Sequence, residues 1–198
     1  MSATAAEARK AFERFVRWTI ESEYAPVQER LPKGEREAFA AYYKNLPKPG
    51  AEAAIRRYLR GFWRSEAGWT ARWIVERARA IGKRPRVLDA GSGFGTYSML
   101  YAAVGGEVLG ADLRPDRLDA AQKRLAFHHE QTGESLPVQY QRADLTREWE
   151  GDHDLVWVYN ALSHIEPLEA FLTQTARHLT PGGVLVIGDI NGDRKSVV

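Results

Sequence analysis

A chain of 198 residues with 44% hydrophobic and 27% charged side chains makes one domain of ordinary size, or one domain with a small appendage, and excludes a disordered chain, a collagen and a disulfide scaffold. Cysteine is absent, which removes thiol catalysis, a cysteine zinc site and disulfides. The net charge is only +2, but Met1–Pro85 holds 18 Lys+Arg against 10 Asp+Glu and the remainder 10 against 16; this asymmetry suits an acidic substrate, a nucleic acid, or attraction between the two halves.

The N-terminus shows no apolar stretch of the secretory type and no run reaches the ~18 apolar residues of a membrane span, so the expectation is a cytoplasmic protein with no membrane partner. Residues 1–84 read as a helical region. Phe12, Phe15, Val16 and Thr19 form an i, i+3, i+4, i+7 stripe, and Pro26 and Pro32 are expected to close that helix. Glu35–Asn45 is a short second helix, stopped by the Pro-rich segment Leu46–Gly50. Ile55, Leu59 and Phe62 share one face of a third helix. A fourth runs from Glu66 to Ile81, with Gly82 as its C-cap.

From Arg86 the rhythm changes to alternating strand and helix. Strands are expected at Arg86–Asp89, Glu107–Ala111, Val138–Gln141, Asp154–Tyr159 and Val184–Asp189. Helices fall at Thr96–Val104, Pro115–Glu130 and Leu168–Leu179. This order implies right-handed crossovers and an α/β, doubly wound, mostly parallel sheet over residues 85–198.

Four features carry chemistry. The first is Asp89-Ala90-Gly91-Ser92-Gly93-Phe94-Gly95, placed between a strand and a helix, where open α/β sheets bind ligands. Its glycines permit a sharp bend and close approach of a ligand. Thr96 stands where a dinucleotide fingerprint needs its third glycine, and the Lys-Ser/Thr pair of a phosphate-binding loop is missing. An acid at Asp89 opposes a pyrophosphate and suits a cationic amine. The second is Asp112, 21 residues after Gly91 and followed by Leu113, either a ribose-binding acid or the N-cap of the next helix. The third is Asp144-Leu145 at the rim of the third strand, an acceptor for an amino group or an isolated turn. The fourth is Asn160–Ile165 after the fourth strand. There Asn160 faces the ligand, and His164 is either a proton acceptor or a residue that fixes the loop.

Together these features resemble the class I S-adenosylmethionine-dependent methyltransferases, over about Arg86–Asp189. Asp89–Gly95 is similar to the family's first motif, Asp112 to its ribose acid and Ala143-Asp144-Leu145 to its adenine-edge position. Asp154–Ile165 is similar to the family's fourth-strand motif, and Leu179–Ile187 to its approach to the fifth strand. The resemblance implies a Rossmann-like core with strand order 3-2-1-4-5 and S-adenosylmethionine as cofactor, leaving S-adenosylhomocysteine as product. Asp89, Gly91, Gly93, Gly95, Asp112, Leu113, Asp144, Leu145 and Asn160 would bind the cofactor, and His164 is the catalytic candidate. The Asn160–Ile165 loop and the Thr-Pro-Gly-Gly turn resemble those of small-molecule methyltransferases, a likeness that implies a small-molecule acceptor. The alternatives are an RNA methyltransferase, drawing on the Arg56–Arg64 run, and an inactive or split enzyme that needs a partner chain.

The family's sheet ends with two further strands, and Ile190–Val198 is too short to supply them. The fifth strand is therefore expected to present an open edge, covered by a second copy, a partner chain or the N-terminal helices. Those helices would form a cap, with Trp63, Trp69, Trp73, Tyr42, Tyr43 and Tyr58 as either an aromatic wall or core packing, and Arg56, Arg57, Arg60 and Arg64 as positive charge.

Overall fold

The computed structural model describes residues 3–147 and 149–189, without the side chains of Ala3, Ala25 and Tyr42. The N-terminal region comprises α1 (Ala3–Trp18), a π-helical turn (Thr19–Glu23), α2 (Tyr24–Arg30), α3 (Lys33–Tyr43), α4 (Glu52–Trp63) and α5 (Glu66–Ile81). Pro26 does not close the first helix as expected. The chain stays helical to Arg30 because the π turn places Pro26 in the first turn of α2, where a missing N–H costs little. α5 has the expected bounds: Ser65 caps it by accepting from the Ala67 amide at 3.3 Å, and Gly82 ends it at φ 69°.

The strands are β1 (Arg86–Ala90), β2 (Glu107–Asp112), β3 (Val138–Arg142), β4 (His153–Tyr159) and β5 (Leu179–Gly188), with α6 (Thr96–Ala103), α7 (Pro115–Thr132) and α8 (Leu168–His178) between them. All four pairings are parallel, in the order β3-β2-β1-β4-β5. The chain steps outward from β1 to β3, then crosses back to β4. That reversal leaves a crevice at the carboxyl ends of β1 and β4. Leu155, Val156, Trp157 and Val158 have no solvent exposure, as a central parallel strand covered on both faces requires.

β5 starts earlier than the sequence suggests. Leu179 pairs with His153 and Val184 with Leu155, with an irregularity between the two. Thr180–Gly183 is thus taken up within the strand, with Gly182 at φ 77°. Asp154 holds this end: its side chain accepts from Arg77 Nη2 at 2.8 Å, Thr180 Oγ1 at 2.9 Å and the Arg86 amide at 2.9 Å. Among the described residues no strand pairs with the outer edge of β5. The segment Ile190–Val198 lies outside the described residues.

The N-terminal helices and the sheet share one hydrophobic cluster. Phe12, Phe15, Ile55, Trp63 and Ile74 pack in the same buried group as Val87, Leu100, Tyr101 and Trp157. Trp63 is therefore core, whereas Trp69 is exposed. Part of the charge asymmetry is spent between the halves. Arg14 pairs with Glu134 and Arg30 with Glu130, both exposed and worth little to stability.

One cross-half pair differs in kind. Glu23 and Arg124 are fully buried and meet through two hydrogen bonds, at 2.7 and 2.8 Å. Arg124 Nη1 also donates to the Phe94 carbonyl at 2.6 Å and to Thr96 Oγ1 at 2.8 Å. Removing one member leaves the other charged, buried and unpaired. Glu23→Gln is expected to destabilise the fold by about 3–5 kcal/mol, read by chemical denaturation; a loss under about 1 kcal/mol would contradict this account.

Candidate functional site

The crevice holds a cavity of about 650 Å³, within the range of small-molecule sites. Three loops build it. After β1 the amides of Gly91 and Ser92 both donate to the Ala111 carbonyl, at 2.8 and 2.9 Å, which turns the loop across the end of β2. Gly91 sits at φ 77°, and a Cβ there would lie 2.4 Å from the Ala161 Cβ; glycine lets the loops after β1 and β4 touch. Gly93, at φ 50°, would direct a Cβ into open space.

Asp89 lies under this loop, 3% exposed, and lines the cavity. Its carboxylate accepts from Ser98 Oγ at 2.5 Å. Burial pushes the Asp89 carboxyl up to about 7, against the lowering effect of the Ser98 hydrogen bond. Asp112 also lines the cavity. Its two oxygens accept from the Gly93 amide at 2.8 Å and the Arg114 amide at 2.9 Å. It is not the N-cap of α7; that position belongs to Arg114, which makes no side-chain cap. Each Asp112 oxygen keeps a further lone pair.

Asp144 and Leu145 line the rim. The Asp144 carboxylate accepts from the Thr146 hydroxyl at 2.6 Å and amide at 3.0 Å, and from Arg147 Nε at 3.1 Å. The hydroxyl of Thr146 first, then its amide, hold this carboxyl below the usual range. Asn160 has φ 50°, a conformation asparagine tolerates better than most residues, and its amide donates to the Gly188 carbonyl at 2.8 Å. His164 is exposed and lines the cavity. Its backbone closes a turn on the Ala161 carbonyl at 3.0 Å. Leu113 lines the cavity too and is 54% exposed.

Gly95 is the exception among the expected residues: it does not line the cavity. A Cβ there would lie 2.7 Å from the Tyr140 ring carbon and 2.9 Å from the Ala121 Cβ. The third glycine is required by packing under the loop. Sequence reading also missed several lining residues. Ser92 is 8% exposed with a hydroxyl that has no hydrogen-bond partner, and its place between two glycines was the available signal. Arg117 approaches Glu35 at 3.3 Å and lies over the Phe94 ring at 4.1 Å. Nothing local in the sequence marks that contact, which joins α3 to α7.

A methyltransferase-domain family model matches residues 88–185, a stretch that runs from within β1 to within β5 and holds the loops after β1, β2, β3 and β4. The chain carries a class I S-adenosylmethionine-dependent methyltransferase domain. It is 31% identical over 126 residues to a ubiquinone biosynthesis O-methyltransferase of Thiobacillus denitrificans, covering 63% of this chain and 52% of that protein. It is 33% identical over 114 residues to the protein so named in Psychrobacter arcticus, covering 56% and 43%. The chain thus spans about half the length of the curated relatives it matches. Among solved structures, a TehB-like SAM-dependent methyltransferase from Corynebacterium glutamicum superposes with a TM-score of 0.47 at 23% identity, over 66% of this chain and 74% of that one. The glycopeptide N-methyltransferase MtfA bound to S-adenosyl-L-methionine gives 0.46 at 19%, over 56% and 52%.

The two glycines of the loop differ in their surroundings, Gly93 facing open space and Gly95 packed against Tyr140 and Ala121. Gly93→Ala is expected to cost about 1 kcal/mol, the strain of a left-handed residue. Gly95→Ala adds a steric clash and is expected to cost at least about 2 kcal/mol. Thermal denaturation of the two variants checks the order.

Proposed function

We propose that this chain binds S-adenosylmethionine in the crevice and transfers its methyl group to a small-molecule acceptor. The observation that carries the reading is a set of three carboxylates, Asp89, Asp112 and Asp144, at the carboxyl ends of β1, β2 and β3 around one cavity. That set suits a ligand with an ammonium, a diol and an amino edge, and repels a pyrophosphate. The unpartnered Ser92 hydroxyl and the open space beside Gly93 fit such a ligand.

In this reading Asp89 holds the amino-acid ammonium, Gly91 and Gly93 pass beneath it, and Asp112 accepts from the ribose hydroxyls with its free lone pairs. Asp144 accepts from the adenine amino group, with Leu113 and Leu145 as its apolar flanks. Asn160 orients the amino-acid end. When bound, the cofactor supplies a methyl group on a sulfonium sulfur, already activated for in-line displacement. The chain's work is to orient the acceptor and exclude water. His164 accepts the acceptor's proton. Residues 1–84 act as a helical cap on the core of residues 85–198. A second copy or a partner chain covers the β5 edge, where Ile187 is 41% exposed; light scattering that finds a monomer at every concentration excludes the second copy.

Two measurements test the binding mode. Asp112→Ala is expected to weaken S-adenosylhomocysteine binding by about 1–3 kcal/mol, the cost of unpaired ligand hydroxyls; unchanged affinity in calorimetry removes Asp112 from the site. The Asp89 carboxyl, raised by burial to about 7, must be ionised to meet an ammonium. Affinity is therefore full above that value and declines as the pH drops through it, by about tenfold from pH 8 to pH 6. Asp89→Asn is expected to bind weakly with a flat profile. A wild-type profile without slope would show that Asp89 faces no ammonium.

A further inference from the structure

A second cavity of about 340 Å³ adjoins the first. Thr96, Tyr97, Tyr159 and Asn160 line both, so the two spaces share a wall at the carboxyl end of β4. Its other sides come from α1, the π turn, α4 and the segment after α3. Three properties define what it can hold.

The first is its aromatic lining: Phe15, Tyr58 and Phe62 face the space together with Tyr97 and Tyr159. Such walls favour a flat ring by stacking and edge contacts. The second is the absence of charge. No Asp, Glu, Lys, Arg or His lines the cavity among the described residues, and burial pushes the Tyr43 phenol up to about 12, so that it stays neutral. A charged ligand would lose hydration with no counter-charge to replace it. The third is an unmet hydrogen bond. Thr19 is 5% exposed, lines the cavity, and its hydroxyl has no partner. A buried hydroxyl in that state is stabilised by a ligand group that completes it.

We infer that this second cavity is the acceptor chamber, and that it selects a neutral, flat aromatic compound with a polar substituent that meets the Thr19 hydroxyl. The inference rests on the proposal that the first cavity takes the methyl donor, because the shared wall is what would bring donor and acceptor together. It also assigns the N-terminal helices a share in choosing the acceptor, through residues that lie outside the matched domain. The uncharged lining disfavours a phosphate-bearing acceptor such as RNA.

The test uses three probes built on one ring: methyl para-hydroxybenzoate, which is neutral, para-hydroxybenzoate, an anion, and tyramine, a cation. Each is titrated into the full chain by calorimetry, with and without S-adenosylhomocysteine. The neutral ester is expected to bind at least about tenfold more tightly than either charged probe. Leu46→Trp, which fills the chamber without touching the first cavity, is expected to abolish ester binding and spare S-adenosylhomocysteine binding. Thr19→Val, a change of one hydroxyl for a methyl, is expected to weaken ester binding about fivefold, and decides the matter if the larger variant does not fold. Equal affinity for the three probes, binding of none, or wild-type ester affinity in Thr19→Val overturns the inference. Failure of S-adenosylhomocysteine alone to bind, with the ester still selected, would instead overturn the reading of the first cavity.

Discussion

Arg124 has no solvent exposure, yet it carries a full charge into the centre of the molecule. Its guanidinium is answered by Glu23 from the π turn, by the Phe94 carbonyl of the glycine-rich loop, and by the Thr96 hydroxyl at the start of α6. A charge this deep is tolerated only when it is paired and hydrogen-bonded. The consequence is geometric: three separate parts of the chain must meet at one point. The loop that bends across the crevice is therefore held from behind by the N-terminal helices. Tyr43 of α3 reinforces this through a hydrogen bond with the same Thr96 hydroxyl.

This arrangement links the helical region to the site more tightly than a loosely placed lid would. The aromatic residues of α1 and α4 are buried with the central strands, and the contact between Glu35 and Arg117 brings α3 to the cavity rim. A basic N-terminal region thus meets an acidic core through specific pairs, and much of the charge asymmetry serves that union. Asp89, Asp112 and Asp144 lie together around the cavity at the strand ends. Asp89 is kept buried in the cavity wall, where burial raises its carboxyl and the Ser98 hydroxyl donates to it; perturbed carboxylates in a cleft are characteristic of functional sites.

Much of the core was legible because its signals are local. Strand-helix alternation sets the sheet, and a glycine-rich bend after an apolar strand marks the crevice. The bounds of α5 followed from Ser65 and Gly82, whose capping chemistry acts over one helical turn. Local rules also misled. Pro26 reads as a helix end, but a π turn re-phased the helix so that the proline fell in a first turn. Thr180–Gly183 reads as a turn, yet it was absorbed into the irregular start of β5. Gly95 reads as a third ligand glycine, while its neighbours Tyr140 and Ala121, distant in sequence, make it a packing glycine.

The sequence by itself determined the parallel α/β core, the place of the crevice and the acids around it, since periodicity, turn chemistry and motif spacing act within a few residues of one another. Only the tertiary structure decided that Glu23 meets Arg124 across 101 positions, that Asp112 braces the Gly93 amide, and that α1, α4 and β4 enclose a second, uncharged chamber. Those are contacts between segments far apart in the chain, and they exist only once burial of the shared core has drawn the segments together.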